Sequence, residues 1–440
     1  MLKKISAGFC LILVSVVPIL TLHAQDKALK SLVETALQKN YGVRLARVDQ
    51  DIAENENTLG NAGFTPNVYI DGDYRRSIRE SEQEFVSGDR QEVSGGRSSN
   101  LSGAIGVEWT IFDGFKMFAE REKLQTQALL GKTTVRYYIE QTVLDVSAVY
   151  YELMKGRAML QELQTVYDVS RERLELEEKR KEVGTGNMLE VHRARINMLS
   201  DSVQLVRFRG DLKNYEIEVN RLMAVDLEND IATEDDFRVN PGLNTDDMLE
   251  SVLTKNTELN QTQIQQLLEE QNVKSRRGNL MPEVMLFGSY NFDRSTSDFG
   301  FLLSNRQYGP QFGVSLRFNL YDGGKERTAM QTAKLQAENA QISAEEKKTD
   351  VKAAFFTADQ NYKSAKQELL LAQMNAEEAG KLEEIALEQY KTGLITSLEF
   401  RQLQLEVLQA KLQVVEAKFD LKQSELMLHR LAGSLPEEIL

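Results

Sequence analysis

Residue types that could carry chemistry are few and widely separated in this chain. His192 and His429 each lie on a helical pattern, and neither has a second metal ligand three or four residues further on. The methionines are scattered, so they form no ladder for a soft metal ion. The sequence contains no G-x-x-x-x-G-K-[ST] phosphate-binding motif and no paired nucleophile and base. We therefore predict no catalytic, cofactor-binding or metal site, and no enzymatic activity.

Charged and small residues gather after two glycine breaks, where the pattern G-x(2-4)-L-E-[VF] occurs twice. The chemistry available to them is electrostatic. The first break carries Gly184, Gly186, Asn187, Glu190 and Arg193, and the second carries Gly393, Thr396, Glu399, Arg401 and Gln402. In the simplest interpretation, Glu399 is a solvated glutamate at a helix start, favoured by the helix dipole. The glycines at 186 and 393 would then only relieve the strain of positive φ at helix ends.

The first 24 residues predict a secretory signal peptide. Lys3 and Lys4 precede an apolar run at residues 9–22, and Ala24 marks a plausible cleavage point. A retained membrane anchor is the alternative, but the apolar run is shorter than the ~20 residues that a spanning helix needs. The only cysteine, Cys10, lies in this segment, so the mature chain is expected to contain no disulfide and no thiolate metal site.

The charge balance excludes one class of partner. The 440-residue chain has a formal net charge of −14, whereas phosphate binding requires a basic surface. We therefore expect no nucleic-acid partner. After residue 24, no segment is apolar enough to be a transmembrane helix. If the exported chain meets a membrane again, β-strands must make the contact.

Two similar runs connect strands to long helices that lead to the glycine breaks. The run W-T-I-F-D-G-F-K contains Trp109, Asp113 and Gly114, and the run F-N-L-Y-D-G-G-K contains Phe318, Asp322 and Gly323. In each run, an alternating strand pattern reaches an Asp-Gly pair and then becomes a helical pattern. We call these runs the strand–helix junctions, and we expect Asp113 to cap the helix that follows it.

The same order of elements occurs twice, because Pro66, Gly72 and Tyr74 recur 216 residues later. The first repeat is predicted at 25–224, with a helix at 26–62, strands at 66–78 and 101–112, a long helix at 115–183 and a helix at 188–224. The second is predicted at 247–432, with a helix at 247–279, strands at 283–294 and 310–321, a long helix at 323–391 and a helix at 396–432. Residues 225–246 form an acidic linker or equatorial region, and 433–440 form a C-terminal tail.

Two details of this organisation depend on local pattern. Apolar residues recur every seven positions along the long helices, which is typical of coiled-coil packing. The polar, glycine-rich residues 77–100 predict either a long loop or an extension of the first two strands.

The four strands are amphipathic and have the length that suits an oblique crossing of a bilayer, roughly 9–11 residues. The alternative is a soluble four-stranded sheet with one buried face. The polar faces favour a wet lumen because they contain Asp71, Asp73, Arg75, Glu108 and Arg317. Since a bilayer does not tolerate open sheet edges, and known barrels have about eight or more strands, several chains must share one barrel.

With these features, the chain resembles the outer membrane efflux protein family of TolC-like channels. The resemblance covers nearly the whole mature chain and is carried by the repeats, the strand–helix junctions and the glycine breaks. It implies a mainly α-helical fold with a transmembrane β part, in which a homotrimer forms a 12-stranded β-barrel in outer membrane lipid. This barrel would continue into a periplasmic α-helical barrel.

The resemblance also implies a function and partners. The function is that of a passive exit duct for efflux or type I secretion, located in the cell outer membrane with a large periplasmic extension. The implied partners are a periplasmic adaptor protein and an inner membrane transporter of the RND, ABC or MFS type.

The family pattern further implies that the two breaks form a periplasmic tip, at which the duct narrows. The acidic residue of the aperture corresponds to Glu399, and Gln402 occupies the position of a second acid. Glu190 is the counterpart at the first break. We expect Glu399 from three chains to form a ring that favours cations.

Two further roles at the tip are carried over from the family. Ile395 replaces a basic residue that forms a closing ion pair in some members, and Arg193, Arg195 or Arg401 could supply the missing charge. The residues expected to contact the adaptor lie in the two turns: Gly184, Gly186, Asn187, Gly393 and Thr396.

A rival function belongs to another class. A periplasmic or surface coiled-coil scaffold without a pore would also contain long heptad helices. The scaffold would be a water-soluble protein, whereas the channel would require detergent and conduct ions.

Overall fold

The computed structural model describes residues 27–234, 236–298 and 302–440. The predicted signal peptide at 1–24, including Cys10, lies outside these residues. The first repeat contains α1 (Lys27–Lys39), α2 (Tyr41–Glu56), β1 (Asn67–Glu84), β2 (Arg90–Phe112), α3 (Lys116–Glu182) and α4 (Met188–Met223). The second contains α5 (Met248–Lys255), α6 (Thr257–Gly278), β3 (Glu283–Ser297), β4 (Ser304–Arg317), α7 (Lys325–Thr392) and α8 (Ser397–Leu431), followed by α9 (Leu435–Ile439).

The single helix predicted at the start of each repeat is in fact two helices, and an asparagine separates them. The Asn40 side chain caps α2 by accepting from the Gly42 N–H at 2.8 Å. Asn256 caps α6 in the same way, accepting from the Leu259 N–H at 3.0 Å. An asparagine at an N-cap competes with continued helix because its side chain satisfies free backbone donors. The Lys-Asn pair that occurs in both repeats therefore marks a boundary between two helices rather than a helix interior.

The same two asparagines also bind the ends of neighbouring helices. The Asn40 amide donates to the Leu222 carbonyl of α4 at 2.8 Å. The Asn256 amide donates to the Leu431 carbonyl of α8 at 3.1 Å. Each asparagine thus joins the N-terminus of one helix to the C-terminus of another, and both repeats use this arrangement.

The strands differ from the predicted ones at their ends. Residues 77–100 extend β1 and β2 as a paired ribbon, so the extension, not the long loop, is the correct alternative. In the second repeat, β4 ends at Arg317 instead of continuing to 321. The partner of Arg317 is Glu283, the first residue of β3. Pro282 precedes Glu283 and has no backbone N–H, so the ladder cannot continue there.

The four strands form one antiparallel sheet in the order β1-β2-β3-β4. The β2–β3 pairing joins the two repeats, with Leu101 opposite Arg294 and Trp109 opposite Leu286. Within the described residues, β1 and β4 each have one neighbouring strand, so both edges of the sheet are open.

The long helices form two antiparallel hairpins that lie side by side. Far from the sheet, α3 packs on α4, α7 packs on α8, and α3 contacts α8, giving the order α4-α3-α8-α7. Near the sheet, the order is α2-α3-α6-α7. The predicted heptad positions Val146 and Leu153 are fully buried. Burial of such a side chain contributes about 2 kcal/mol.

The equatorial segment (residues 225–246) contains no helix or strand among its described residues, yet it packs into the core. Ile231 and Phe237 are buried against α1 and α3. The predicted C-terminal tail is not a simple tail, because its α9 buries Leu435 and Ile439 in the same cluster. In the described part of the chain, no helix has the combination of length and hydropathy that a membrane crossing requires.

Candidate functional site

The two strand–helix junctions share one capping arrangement. The Asp113 carboxylate accepts from the Met117 N–H of α3 at 2.8 Å. The Asp322 carboxylate accepts from the Glu326 N–H of α7 at 2.8 Å and from the Gly324 N–H at 2.9 Å. The predicted cap at Asp113 is thus confirmed, and the structure shows the equivalent cap at Asp322; each aspartate lies two residues before the formal N-cap of its helix.

The environments of the two aspartates differ. Burial raises the pKa of Asp113, although the Met117 and Lys116 backbone amides oppose the shift. Backbone hydrogen bonds, that of Glu326 first, hold the pKa of the exposed Asp322 below its usual range. The first junction is therefore enclosed by the protein, and the second is open to solvent.

The glycines show the same difference. Gly114 has φ +72°, and a Cβ added there would lie 2.4 Å from the Gly278 carbonyl oxygen. Gly323 has φ +75°, but a Cβ there would meet nothing within 4 Å. The first junction is also anchored by Trp109, whose indole N–H donates to the Phe64 carbonyl at 2.9 Å. Phe318, at the second junction, is about half exposed.

At the opposite end of the helices, each predicted turn begins with a left-handed glycine. Gly184 has φ +81° and Gly393 has φ +78°. The explanation by positive φ does not apply to Gly186, which is not among the positive-φ residues of the described chain. A Cβ on Gly186 would instead lie 2.9 Å from the Lys181 backbone nitrogen. Gly186 therefore permits a close approach to the end of α3.

Asn187 and Thr396 cap the helices that follow the turns. The Asn187 side chain accepts from the Glu190 N–H at 3.0 Å. The Thr396 hydroxyl accepts from the Glu399 N–H at 3.2 Å, and the Glu399 carboxylate accepts from the Thr396 N–H at 2.7 Å. This reciprocal arrangement is a capping box. The bond from the Thr396 N–H, and then a bond that the Thr396 hydroxyl donates to the same carboxylate at 2.8 Å, lower the pKa of Glu399.

The other charged residues of the turns, and also Gln402, form bonds within their own hairpin. Arg193 lies 2.7 Å from the Glu190 carboxylate, and Arg195 lies 2.7 Å from the Glu178 carboxylate. Gln402 donates to Glu406, one turn later in α8, at 3.1 Å. Among the predicted tip residues, Arg401 is thus the one whose bonds cross from one hairpin to the other.

Arg401 of α8 forms a bidentate ion pair with Asp201 of α4. The two nitrogen–oxygen distances are 2.6 and 3.0 Å, and the side chains are 12% and 4% exposed. Ser170 of α3 donates to the same Asp201 carboxylate at 2.6 Å and accepts from Arg401 at 3.2 Å. The pair therefore joins α4, α3 and α8 in a buried position. Sequence reasoning missed Asp201, although an acid among the apolar positions of a heptad helix is a usable signal.

A second buried contact joins α7 to α3. The Tyr390 hydroxyl donates to the Glu177 carboxylate at 2.6 Å. Its ring stacks on Phe400 of α8 with the centroids 4.7 Å apart, and the Arg180 guanidinium lies 5.3 Å from the Tyr390 ring. Burial, and then the Glu177 carboxylate, raise the pKa of Tyr390 to about 12. Sequence reasoning missed this group as well.

His429 has two acidic neighbours, and neither lies three or four residues after it in the sequence. Glu425, one turn earlier in α8, and Glu438 of α9 offer ligand atoms that lie within 4.8 Å of one another and of the imidazole. The Glu425 carboxylate is already bonded to Lys422 at 2.7 Å and to the Asn240 N–H at 3.0 Å. We interpret this group as a polar contact that attaches α8 to the equatorial segment.

This fold, with two tandem repeats that each join a strand pair to a long helical hairpin, is that of the TolC-like outer membrane channels. The model of the outer membrane efflux protein family matches residues 32–225 and 248–434, which span both repeats. The chain therefore belongs to the outer membrane efflux protein family. The predicted family, fold class and outer membrane location are confirmed.

Individual relatives are distant in sequence but match over most of their length. The chain is 21% identical over 421 residues to a probable efflux pump outer membrane protein, TtgC of Pseudomonas putida, covering 93% of this chain and 83% of the relative. The outer membrane channel CmeC of Campylobacter jejuni superposes with a TM-score of 0.78 at 16% identity, covering 93% of this chain and 86% of that one. VceC of Vibrio cholerae gives 0.77 at 14% identity, with 93% and 96% covered.

Proposed function

We propose that three copies of this chain form a passive exit duct, with a shared β-barrel in the outer membrane and a helical tunnel in the periplasm. The observation that carries this proposal is that the sheet and the helical layer each end, on both lateral sides of the subunit, in an element whose outer side is uncovered. Among the described strands, β1 and β4 form the edges of the sheet, and each has one free side. An open edge in a bilayer leaves backbone donors and acceptors without partners, so β4 of one copy must pair with β1 of the next.

The helices support the same closure. Far from the sheet, α4 and α7 are the outer helices of the subunit, and each has an exposed apolar stripe. The stripe of α4 consists of Ile196, Leu199, Val203 and Val206. The stripe of α7 includes Phe356, Leu371, Met374 and Ile385.

Each stripe lies opposite the buried side of its own helix. At about 100° per residue, Val203 of α4 points away from the buried Leu205 and Leu212. A helix that is apolar on two opposite sides belongs in a wall between two neighbours. The contact of α7 with the α4 of the next copy is head-to-tail, and such contacts form a ring when the rotation between copies closes.

Purification and electrical recording test the proposal together. The expected result is a detergent-requiring protein from the outer membrane fraction, with the mass of three chains and with discrete conductance steps in planar bilayers. A water-soluble protein without conductance would overturn the proposal and favour the coiled-coil scaffold.

The duct would draw its energy from partners. The relative TtgC is named as an efflux pump component, and by this likeness we propose a periplasmic adaptor and an inner membrane transporter of the RND, ABC or MFS type. The adaptor would contact the exposed turns at Gly184 and Gly393 and the surfaces beside Gly186, Asn187 and Thr396.

Crosslinking from single cysteines tests the adaptor contact. Leu394 is 77% exposed and suits a cysteine better than Asn187 or Thr396, because both of those cap helices. We expect Leu394→Cys to capture an adaptor in cells, whereas Leu227→Cys in the equatorial segment should not. Equal capture at both positions, or none at Leu394, would contradict docking at the tip.

A further inference from the structure

One face of the β-sheet carries a cluster of four arginines, and the proposed function does not require such a cluster. Up to the register shift that follows Arg79 in β1, this face contains the even-numbered residues of β1, β3 and β4 and the odd-numbered residues of β2. We call it the apolar face, since it carries Val68, Ile70, Ile105, Val107, Leu286 and Val314. Over residues 68–78, 97–109, 284–296 and 304–316, its charged residues are Arg76, Arg97, Arg294 and Arg306; the even-numbered acids of β1, Glu80, Glu82 and Glu84, lie beyond this region, toward the hairpin.

The opposite face has a different charge pattern. It carries both signs over the same segments: Asp71, Asp73, Arg75, Glu108 and Asp293. On that face, the Arg75 guanidinium lies 3.8 Å from the Asp73 carboxylate. The segregation of four cations on the apolar face is therefore not a general property of the sheet.

The four arginines, which we call the arginine band, lie close together at the hairpin end of the sheet. Arg294 is directly opposite Arg306, and Leu101 lies on the other side of Arg294. Arg76 is opposite Ser99, two residues further toward the hairpin, and Arg97 is opposite Ile78, two residues beyond that. Each of the four strands thus contributes one arginine to the band.

The guanidinium groups of the band have no anionic partner among the described residues. All four side chains are exposed. Asp298 accepts from the backbone N–H of Arg97 at 3.3 Å rather than from its guanidinium. Arg306 has one aromatic contact, with Phe292 at 5.9 Å. Like charges directly opposite each other destabilise a strand pair, so Arg294 and Arg306 call for an anion that bridges them.

The height of the band identifies the source of that anion. Arg294 lies eight residues beyond Leu286 in β3, which is about 26 Å along the strand at 3.3 Å per residue. Barrel strands tilt by roughly 40°, so the rise across the bilayer is about 20 Å, close to the height of the apolar band of such barrels. The guanidinium groups then lie at the outer boundary of the hydrocarbon region, where lipid phosphates are found.

We propose that the arginine band binds the phosphate groups of the phosphorylated glycolipid, lipid A, in the outer leaflet. The planar guanidinium matches phosphate in a bidentate geometry, and a lipid with two phosphates can bridge neighbouring arginines. The proposal rests on the proposed function, which orients the hairpin end of the sheet outward.

Co-purification of lipid A with the trimer tests the proposal. The band variant replaces Arg76, Arg97, Arg294 and Arg306 with glutamine. The matched control replaces Arg75 and Arg317, on the opposite face, with glutamine. We expect the band variant to retain at least fivefold less lipid A per trimer by native mass spectrometry, and the control to retain the wild-type amount. Delipidated wild-type trimer should rebind lipid A vesicles in preference to phosphatidylglycerol vesicles, and the band variant should not.

Equal lipid A content in the wild-type and band-variant trimers would overturn the proposal, and so would equal rebinding to both kinds of vesicle. If the fourfold variant does not assemble, the pairs Arg76→Gln/Arg97→Gln and Arg294→Gln/Arg306→Gln are used, and each should lose about half of the lipid. Conductance separates this proposal from the duct, because the band variant should conduct like the wild type. A wild-type protein that neither trimerises nor conducts would refute the duct itself.

Discussion

At the scale of single residues, equivalent positions in the two repeats have acquired different surroundings. Asp113 and Asp322 both cap long helices, but Asp113 is partly buried and has a raised pKa, whereas Asp322 is exposed and has a lowered one. Gly114 is confined by both its φ angle and the Gly278 carbonyl, whereas Gly323 is confined by its φ angle alone. The repeated motif therefore allows each substitution to be compared with an internal control.

The two glycines should respond differently to alanine. Left-handed backbone costs a residue with a Cβ roughly 1–2 kcal/mol, so Gly323→Ala should lower the free energy of unfolding by about that amount. Gly114→Ala should cost clearly more, because its Cβ would also lie 2.4 Å from a backbone oxygen that cannot move away easily. Thermal unfolding of the purified variants measures the difference, and equal midpoints would contradict it.

Glu399 allows a second comparison at this scale. Its carboxylate is bonded within its own capping box, and the proposed ring also requires its charge. Glu399→Gln keeps an acceptor for the Thr396 N–H but removes the charge, so it should reduce cation selectivity in planar bilayers. Gln402→Ala serves as the control and should not change selectivity. If Glu399→Gln conducts with wild-type selectivity, the residue acts as a cap and not as part of a ring.

At the scale of elements, two buried polar contacts join the hairpins in addition to apolar packing such as that of Leu163 and Val166 with Leu408. Arg401 and Asp201 connect α8 to α4, with Ser170 of α3 between them. Tyr390 and Glu177 connect α7 to α3. The charged residues that follow the glycine breaks, such as Glu190 and Arg193, bond within one hairpin instead. We therefore propose that the position of α8 relative to α3 depends on the buried pair.

Removing one charge of the buried pair should have a large effect. Asp201→Asn leaves Arg401 buried without its counterion, which costs about 3–5 kcal/mol for buried pairs in general. The exposed pair at the first break is the control, since Arg193→Gln should cost at most about 1 kcal/mol. Unfolding midpoints measure both effects. We also expect Asp201→Asn to raise single-channel conductance by loosening α8, and unchanged conductance would argue against that role.

At the scale of the whole molecule, the subunit is incomplete. The open edges of the sheet and the uncovered stripes of α4 and α7 all lie on the two lateral sides of the subunit. In the proposed trimer, neighbouring copies would cover these surfaces.

A charge on the α4 stripe should prevent assembly. Val203→Glu places a carboxylate on the surface that faces α7 of the next copy, where no water would remain to solvate it. Gln204→Glu, one residue later, lies on the polar flank of the same helix and should assemble normally. Size-exclusion chromatography with mass measurement distinguishes trimers from monomers. Normal trimers of Val203→Glu would place the subunit contact elsewhere.

The sequence alone determined the periodic features of this protein. The amphipathic strands, the long heptad helices and the cap at Asp113 were predicted because each depends on residues within a few positions of one another. The duplication was predicted because these local patterns recur in the same order. The same local patterns predicted one continuous helix around Asn40 and one around Asn256, and both predictions were wrong. At each position, the asparagine side chain caps a new helix, although the residues on both sides follow a helical pattern.

The tertiary structure alone decided which side chains meet. Asp201 and Arg401 are 200 residues apart, and Glu177 and Tyr390 are 213 apart. The residue patterns within single helices do not show which residues so far apart in the chain are in contact. Their contacts depend on how α3, α4, α7 and α8 pack against one another, which is set by the burial of many apolar side chains at once. The strand register likewise brought Arg294 opposite Arg306, because hydrogen bonding between strands aligns residues that the sequence separates by a turn.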